Sequence, residues 1–174
     1  VEEYISILID ISKSPLEKNE TKEAIDIDKF VEELKCELYA LCSLKSIAVS
    51  NKMSYKTKII IGNKELLMRA IVNIMSNAVD YSPTKSEIEF VVSEKEGMFI
   101  FTIRDSGRGF TEGGLYSFLA IFYMEANERK VGEHYGMGLY IAESVAKKHG
   151  GFVILKNRED KVGAEVSLMI NTKV

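Results

Sequence analysis

The sequence of 174 residues contains no tryptophan, two cysteines and two prolines, and it has only 12 glycines. So little glycine and proline excludes collagen-like and low-complexity chains, and 46% hydrophobic residues exclude a disordered one. A chain of this length and composition can bury a sizeable core. It is therefore predicted to form one globular domain, with at most a fragment of another.

The sequence also lacks an excess of positive charge and lacks long apolar runs. Lys and Arg number 23 against 26 Asp and Glu, which leaves a net charge of -3. Non-specific nucleic-acid binding draws on a positive surplus, so nucleic acid is not an expected partner. The longest apolar run, 118–124, is far shorter than the roughly 20 residues of a membrane helix. We expect neither membrane contact by this fragment nor a signal peptide.

The two cysteines, Cys36 and Cys42, are six residues apart in a helical pattern, which places them on different faces of that helix. Neither a zinc site nor a disulfide is expected there. Unpaired thiols fit a reducing compartment, so we predict a cytoplasmic chain. A cytoplasmic location of this chain is compatible with a full-length protein that is anchored in the membrane through an upstream segment.

The first 13 residues have apolar side chains at helical spacing and no N-cap before them, and Ser14-Pro15 then breaks the pattern. We interpret 1–22 as the end of a helix plus a linker, cut from a longer protein, and 23–174 as the main domain.

Hydrophobic periodicity predicts the elements of the main domain, and 105–135, with five glycines and no sustained period, is predicted to be a lid. The irregular mixture of strands and helices predicts an α+β fold, a two-layer sandwich with a mixed sheet covered on one face by about three helices. The predicted elements are a strand Ala24–Ile27, a helix capped by Asp28 and ending near Ser43, strands Ile47–Val49 and Lys58–Ile61, a helix capped by Asn63 and ending near Tyr81, a hairpin of Glu87–Ser93 with Met98–Arg104, a helix Leu139–Lys148, and a hairpin of Phe152–Lys156 with Glu165–Ile170.

The predicted helix after Asn63 is apolar around most of its circumference, but one stripe is polar. Short amide and hydroxyl groups dominate this stripe, whereas a solvated face usually carries more Lys and Glu. Such groups accept hydrogen bonds or coordinate a hard cation through oxygen. The stripe is either a modestly exposed face or the polar wall of a ligand cavity, and its members are Arg69, Asn73, Ser76, Asn77 and Asp80.

Two glycine motifs follow. Asp105-Ser-Gly-Arg-Gly-Phe110 comes directly after a predicted strand, and Gly136-Met-Gly138 opens a predicted helix, whose free N–H groups favour phosphate. Each motif alone also fits an ordinary turn. The third glycine of a dinucleotide fingerprint and the G-K-[ST] of a Walker loop are absent from the sequence.

Taken together and in this order, the stripe containing Asn73-x3-Asn77-Ala78, the Asp105 motif and the Gly136 motif resemble the N, G1 and G2 boxes of the ATP-binding domain of sensor histidine kinases. That domain belongs to the Bergerat-fold ATPases, with gyrase, Hsp90 and MutL as relatives. The resemblance runs from about Ala24 to the end of the chain. It implies an ATP-binding catalytic domain that transfers the γ-phosphate of ATP to a His on a dimerisation domain not included here. It also implies that 1–22 are the end of the dimerisation helix that precedes this domain in such kinases, plus a linker, and that 23–174 are the ATP-binding catalytic domain.

The resemblance also implies roles for single residues. Asn77 would bind Mg2+ through its side-chain oxygen, Asp105 would accept the adenine amino group, and Tyr81 would pack beside the base. Asn73 stands where the ATPase relatives carry a water-activating glutamate, which favours phosphoryl transfer over hydrolysis. The implied nucleotide-binding residues are Asn73, Asn77, Asp80, Tyr81, Asp105, Gly107, Gly109, Phe110, Tyr135, Gly136, Met137, Gly138 and Leu139.

The chain departs from the family pattern at Asp80, where many histidine kinases have a Lys or Arg near the phosphates. A cation elsewhere must compensate, and we expect Lys130 or Arg129 of the lid in preference to Arg108. Leu119–Tyr123 resembles the F box of these kinases, with Leu119 in place of its usual first Phe.

No phosphoacceptor is expected in this chain, because His134 falls in the lid and His149 suits a structural role at a helix end. The resemblance implies three partners besides ATP and Mg2+: the phosphoacceptor domain, a second copy in the full-length homodimer and a response regulator receiver domain. Two alternatives remain open, an anti-sigma-factor-type serine kinase and a catalytically inactive interaction module of the same fold.

Overall fold

The structure, a computed structural model, describes residues 21–113, 115 and 136–171. The predicted helix of 1–13, most of the lid and the F box lie outside these residues. Three helices and seven strands are formed by the described residues: β1 (Glu23–Asp26), α1 (Ile27–Ser43), β2 (Ala48–Ser54), β3 (Ile59–Gly62), α2 (Lys64–Tyr81), β4 (Glu87–Lys95), β5 (Met98–Arg104), α3 (Gly136–Lys148), β6 (Phe152–Asn157) and β7 (Ala164–Asn171).

Five strands form the main sheet, in the order β2-β4-β5-β7-β6. Only β2 and β4 run parallel, in register from Ala48 opposite Glu87 to Ser54 opposite Ser93, and the other neighbours are antiparallel. A separate two-stranded sheet pairs β1 with β3. The prediction of a mixed sheet within an α+β fold is confirmed.

Alternation along the central strands places one face of the sheet against the helices. Phe99, Phe101 and Ile103 of β5 are almost fully buried in a core shared with all three helices, and Phe30 of α1 meets Phe101 edge to face with ring centroids 6.0 Å apart. The other face carries polar pairs such as Thr102 and Ser167, whose hydroxyl oxygens are 2.7 Å apart. The sandwich therefore has two layers, with the helices on one face as predicted.

The predicted cap of α1 is wrong by two residues. Asp26, not Asp28, caps the helix by accepting a hydrogen bond from the N–H of Lys29 at 3.2 Å. Asp28 instead lies in the first turn, where its carboxylate binds the Tyr55 hydroxyl and Lys58. Both aspartates precede apolar helical positions, so the sequence pattern alone did not separate them.

Two other boundaries differ from the prediction by three residues or more. β2 extends to Ser54 rather than Val49, because its polar residues pair with β4 at the sheet edge, where an alternating apolar pattern is not required. α3 begins at Gly136 rather than Leu139, so the glycine motif forms its first turn. In contrast, α2 spans the predicted residues, and Asn63 caps it through a 3.0 Å hydrogen bond from the N–H of Leu66.

Cys36 is exposed and Cys42 is buried, as expected for different faces of α1. Among the described residues, no helix has the length and apolar character needed to cross a membrane.

Candidate nucleotide-binding site

The polar stripe of α2 divides into two parts. Arg69 forms an i,i+4 ion pair with Glu65 at 2.6 Å and so behaves as an ordinary surface residue. Farther along, Asn77 lines a cleft between α2, the end of β5 and α3. The buried Nδ2 of Asn73 has no hydrogen-bond partner among the described residues. A buried donor without a partner is costly, so Asn73 is suited to receive an acceptor atom from a ligand.

The C-terminal end of α2 is fixed by Lys45, whose Nζ donates to the carbonyl oxygens of Val79, Asp80 and Ser82 at 2.7 to 3.0 Å. A cation at this end also complements the helix dipole. Buried Ser82 then accepts a hydrogen bond from the N–H of Ser106 at 3.2 Å. These contacts hold the end of α2 against the turn that follows β5.

The cleft encloses about 470 Å³ of empty space, including its open mouth. Six of the predicted nucleotide-binding residues line it, with apolar side chains of β5 and β7 beneath them. The six are Asn77, Tyr81, Asp105, Gly109, Phe110 and Leu139. The structure thus brings residues of the N, G1 and G2 boxes, which together span more than 60 positions of the sequence, to one site.

Asp105 has an asymmetric carboxylate environment. Its Oδ1 accepts hydrogen bonds from the backbone N–H groups of Gly107 at 2.8 Å and Ala164 at 2.9 Å. Within the described part of the chain, its Oδ2 accepts none. Asp105 as a whole residue is only 7% exposed. One oxygen therefore fixes the orientation of the carboxylate, and the other can accept a hydrogen bond from a ligand.

The two glycines of the turn are required for different reasons. A Cβ at Gly107 would lie 2.8 Å from the carbonyl oxygen of Tyr81, so only glycine allows this approach to the end of α2. Gly109 has a φ of +77°, a conformation that glycine adopts readily. The turn can therefore pack against α2 and still lead Phe110 into the cleft.

The first turn of α3 faces the stripe of α2. A Cβ at Gly138 would lie 3.5 Å from Nδ2 of Asn77 and 3.8 Å from Cβ of Asn73, so the two boxes are adjacent. Leu139 is 3% exposed and anchors this turn in the core. A helix N-terminus beside two amides is a suitable environment for phosphate oxygens.

Not every predicted residue reaches the cleft. Asp80 is exposed and does not line it. Tyr135, His134, Arg129 and Lys130 lie outside the described residues. The backbone of Met137 belongs to α3, but its side chain is likewise outside the description.

The β6–β7 hairpin contributes contacts to the site that the sequence pattern does not predict. Asn157 pairs with the backbone of Phe110, Gly163 leaves room for the carbonyl of Asp105, and Ala164 donates to its carboxylate. These residues were interpreted only as a connection between strands, because a polar, glycine-containing loop is typical of any hairpin. Gly163 is the one residue of this loop whose type indicates that another part of the backbone could approach closely, because glycine has no Cβ.

Residues 62–173 match the family described as "Histidine kinase-, DNA gyrase B-, and HSP90-like ATPase". The chain belongs to this ATPase family. The matched segment contains all three boxes and the cleft, so the resemblance inferred from the motifs is confirmed.

Among curated relatives, the chain is similar to sensor histidine kinases. It is 34% identical over 170 residues to the sensor histidine kinase SpaK of Bacillus subtilis, a match that covers 98% of the chain and 37% of SpaK. It is 33% identical over 172 residues to the nisin biosynthesis sensor protein NisK of Lactococcus lactis subsp. lactis, with 97% of the chain and 38% of NisK covered. The chain therefore spans less than two fifths of each relative.

Solved structures support the fold of this family member. The catalytic domain of the histidine kinase ThkA superposes with a TM-score of 0.73 at 14% identity, covering 88% of the chain and 97% of that domain. Full-length ShkA, solved in complex with AMPPNP, gives a TM-score of 0.74 at 18% identity and covers 99% of the chain and 35% of ShkA.

Proposed function

We propose that this chain is the catalytic, ATP-binding part of a two-component sensor histidine kinase, and that it transfers the γ-phosphoryl group of Mg-ATP to a His on a dimerisation domain. The observation that carries the proposal is the cleft where Asn77, Asp105 and Leu139 meet, with one oxygen of a nearly buried carboxylate left for a ligand. The similarity to SpaK and NisK supports the sensor-kinase assignment.

In this proposal, Oδ2 of Asp105 accepts a hydrogen bond from the exocyclic amino group of adenine. The base packs beside Tyr81 and Phe110, which line the cleft together with apolar side chains of β5 and β7. Gly107 and Gly109 shape this end of the site. Guanine has a carbonyl oxygen at the corresponding position, which the carboxylate would repel, so the site is selective for adenine.

The phosphates extend toward the first turn of α3, where the backbone from Gly136 to Leu139 provides N–H groups. The buried Nδ2 of Asn73 is a donor without a partner among the described residues, so it suits a phosphate oxygen as its acceptor. Asn77 supplies an amide oxygen for Mg2+, a ligand type that this cation prefers. When bound, Mg2+ neutralises charge on the phosphates.

Transfer then depends on positioning rather than on a base in this chain. A nitrogen of the acceptor imidazole forms a bond to the γ-phosphorus as the bond to the bridging β–γ oxygen breaks, which leaves ADP. Asn73 cannot remove a proton from water as a glutamate does, which favours transfer over hydrolysis. We further propose that the full-length kinase is a homodimer and passes the phosphoryl group to a response regulator receiver domain.

The proposal is tested in two steps. Calorimetry of the purified chain should give saturable binding of Mg-ATP, and failure to bind would favour an inactive interaction module. The chain is then incubated with γ-labelled ATP and the separately purified dimerisation domain of the full-length protein. An acid-labile, alkali-stable label on that domain is the expected phosphohistidine, whereas an acid-stable label would indicate a serine kinase.

A further inference from the structure

The last residue of β6, Asn157, makes two hydrogen bonds to one residue of the turn after β5. Its Oδ1 accepts from the N–H of Phe110 at 2.6 Å, and its Nδ2 donates to the carbonyl oxygen of Phe110 at 3.0 Å. Phe110 lies outside the strands, so the side-chain amide replaces the neighbouring backbone that a strand residue would pair with. Both backbone groups of Phe110 are thereby fixed.

Gly109 makes this pairing possible. A Cβ at Gly109 would lie 2.6 Å from Oδ1 of Asn157, closer than a side chain tolerates. With glycine there, the amide packs directly on the turn. The φ of +77° at Gly109 also directs the chain so that the Phe110 backbone meets Asn157.

The same hairpin fixes the other side of the cleft. Arg158, whose side chain is 3% exposed, donates to the carbonyl oxygen of Asp105 at 3.1 Å, and the N–H of Ala164 donates to the Asp105 carboxylate. The guanidinium of Arg158 donates to the carboxylate of Asp160 at 2.7 Å. The backbone N–H of Arg158 donates to the carbonyl oxygen of Gly163 at 2.9 Å. One rigid hairpin therefore sets the relative positions of Asp105 and Phe110.

We propose that Asn157 is a positioning residue for the adenine base, acting through Phe110. This inference rests on the proposed function, because it assigns Phe110 to the base. Without the two amide hydrogen bonds, the Phe110 ring is no longer held at its distance from Asp105. Binding of the base then requires the ring to be ordered first, which weakens affinity.

A double-mutant cycle tests the inference, with dissociation constants for Mg-ATP measured by calorimetry on the 174-residue chain. The variants are Asn157→Ala, Phe110→Ala and both together. Glu159→Ala is the matched control, since Glu159 is on the same hairpin, has a side chain that is 89% exposed and forms an ion pair with Lys156. We expect Asn157→Ala to weaken binding about tenfold, as the loss of two hydrogen bonds predicts. In the Phe110→Ala background the same change should have almost no effect.

If Asn157 only stabilises the fold, the result is different. Partial unfolding of Asn157→Ala then lowers the fraction of chains that can bind Mg-ATP by the same factor with and without Phe110→Ala. Equal losses in the two backgrounds, or unchanged affinity of Asn157→Ala, would overturn the inference. If Asn157→Ala does not fold, Asn157→Asp replaces it, since it keeps the acceptor to the Phe110 N–H and exchanges the donor for a carboxylate oxygen that the Phe110 carbonyl repels. Failure of the unmodified chain to bind Mg-ATP would instead reject the proposed function.

Discussion

The imidazole of His149 joins the end of α3 to the start of α2: its Nε2 accepts a hydrogen bond from the backbone N–H of Asn63 at 2.9 Å. Because that N–H must donate, the proton of the neutral ring is on Nδ1, which lies 2.7 Å from the carbonyl oxygen of Val145. The residue is 3% exposed. Both ring nitrogens are therefore engaged, and His149 holds the first turn of α2 in place.

This arrangement predicts that His149 is structural and accepts no phosphoryl group. His149→Ala leaves the part-buried N–H of Asn63 without its acceptor, so we expect a loss of about 1 to 3 kcal/mol in the free energy of unfolding, measured by urea denaturation. Incubation of the unmodified chain with γ-labelled ATP should leave it unlabelled. Stable label on His149, or on His134 in the lid, would contradict this assignment.

The sequence was most informative where local rules and tertiary structure agree. Asn63 marks the start of α2 because it can cap the helix, and Ser82-Pro83 marks its end because the residue before a proline avoids helical conformation. The helix indeed ends at Tyr81. The three boxes predicted the cleft because each is a short, local motif. Asn157 and Lys45 could not be found in this way, because their role depends on contacts with residues 47 and at least 34 positions away in sequence.

Asp105→Asn tests the adenine assignment by exchanging an acceptor for a donor. The amide oxygen of Asn can still accept from Gly107 and Ala164, while its NH2 group takes the place of Oδ2. That group cannot accept from adenine but can donate to the guanine carbonyl. We expect ATP affinity to fall roughly ten- to a hundredfold and the ratio of ATP to GTP affinity to fall further.

The measurement for Asp105 is calorimetry with both nucleotides. Asp105→Ala, which presents neither donor nor acceptor, is the comparison variant. It should weaken ATP and, because it removes the repulsion without adding a donor, it should favour GTP less than Asp105→Asn does. Equal affinity of the unmodified chain for ATP and GTP would reject the role of Asp105 in base selection.

Asn77→Ala tests the proposed Mg2+ ligand. If the amide oxygen binds the cation, the variant should lose affinity for Mg-ATP while its affinity for ATP in the presence of EDTA changes little. A loss of about tenfold is expected for one missing ligand. Asn77→Asp, which keeps an oxygen at this position, should retain the dependence on Mg2+. Equal losses with and without Mg2+ would assign Asn77 to the nucleotide alone.

Ion pairs of Glu89 on the face of the sheet away from the helices predict that the free energy of unfolding falls in acid. Lys52 and Arg104 contact Glu89 at 2.6 and 2.7 Å, and their hydrogen bonds lower the pKa of this carboxyl. A lowered pKa contributes stability above the unfolded value, near 4.5, and this contribution is lost as the pH falls through the folded value. The stabilising effect of Glu89 should therefore be present at pH 7 and decline below about pH 4.5.

Glu89→Gln is the variant that tests this dependence, with the free energy of unfolding measured from pH 7 to pH 3. The difference between the unmodified chain and Glu89→Gln should be largest at neutral pH and shrink in acid. Glu159→Gln, at an exposed position of the β6–β7 hairpin, is the control. A difference that stays constant over the whole range would show that Glu89 acts by packing and not by charge.

The last prediction concerns the cation that offsets the phosphates of ATP, since Asp80 is an exposed carboxylate near the site and cannot do so. Arg108 is exposed and lines the cleft, and in the described ranges its guanidinium forms neither an ion pair nor a hydrogen bond. Its place in the turn after Asp105 puts it at the base end of the cleft. We therefore expect Arg108→Ala to weaken the binding of ADP and of ATP by similar factors, a few-fold each, as for an exposed charge.

A double variant of the lid, Arg129→Ala with Lys130→Ala, should weaken the binding of ATP more than that of ADP if either residue contacts the γ-phosphate. Titration of each variant with both nucleotides at low and physiological salt distinguishes the two sources, because contacts of exposed charges weaken with ionic strength. A selective loss of ATP affinity in Arg108→Ala would reverse the assignment and make Arg108 the compensating cation.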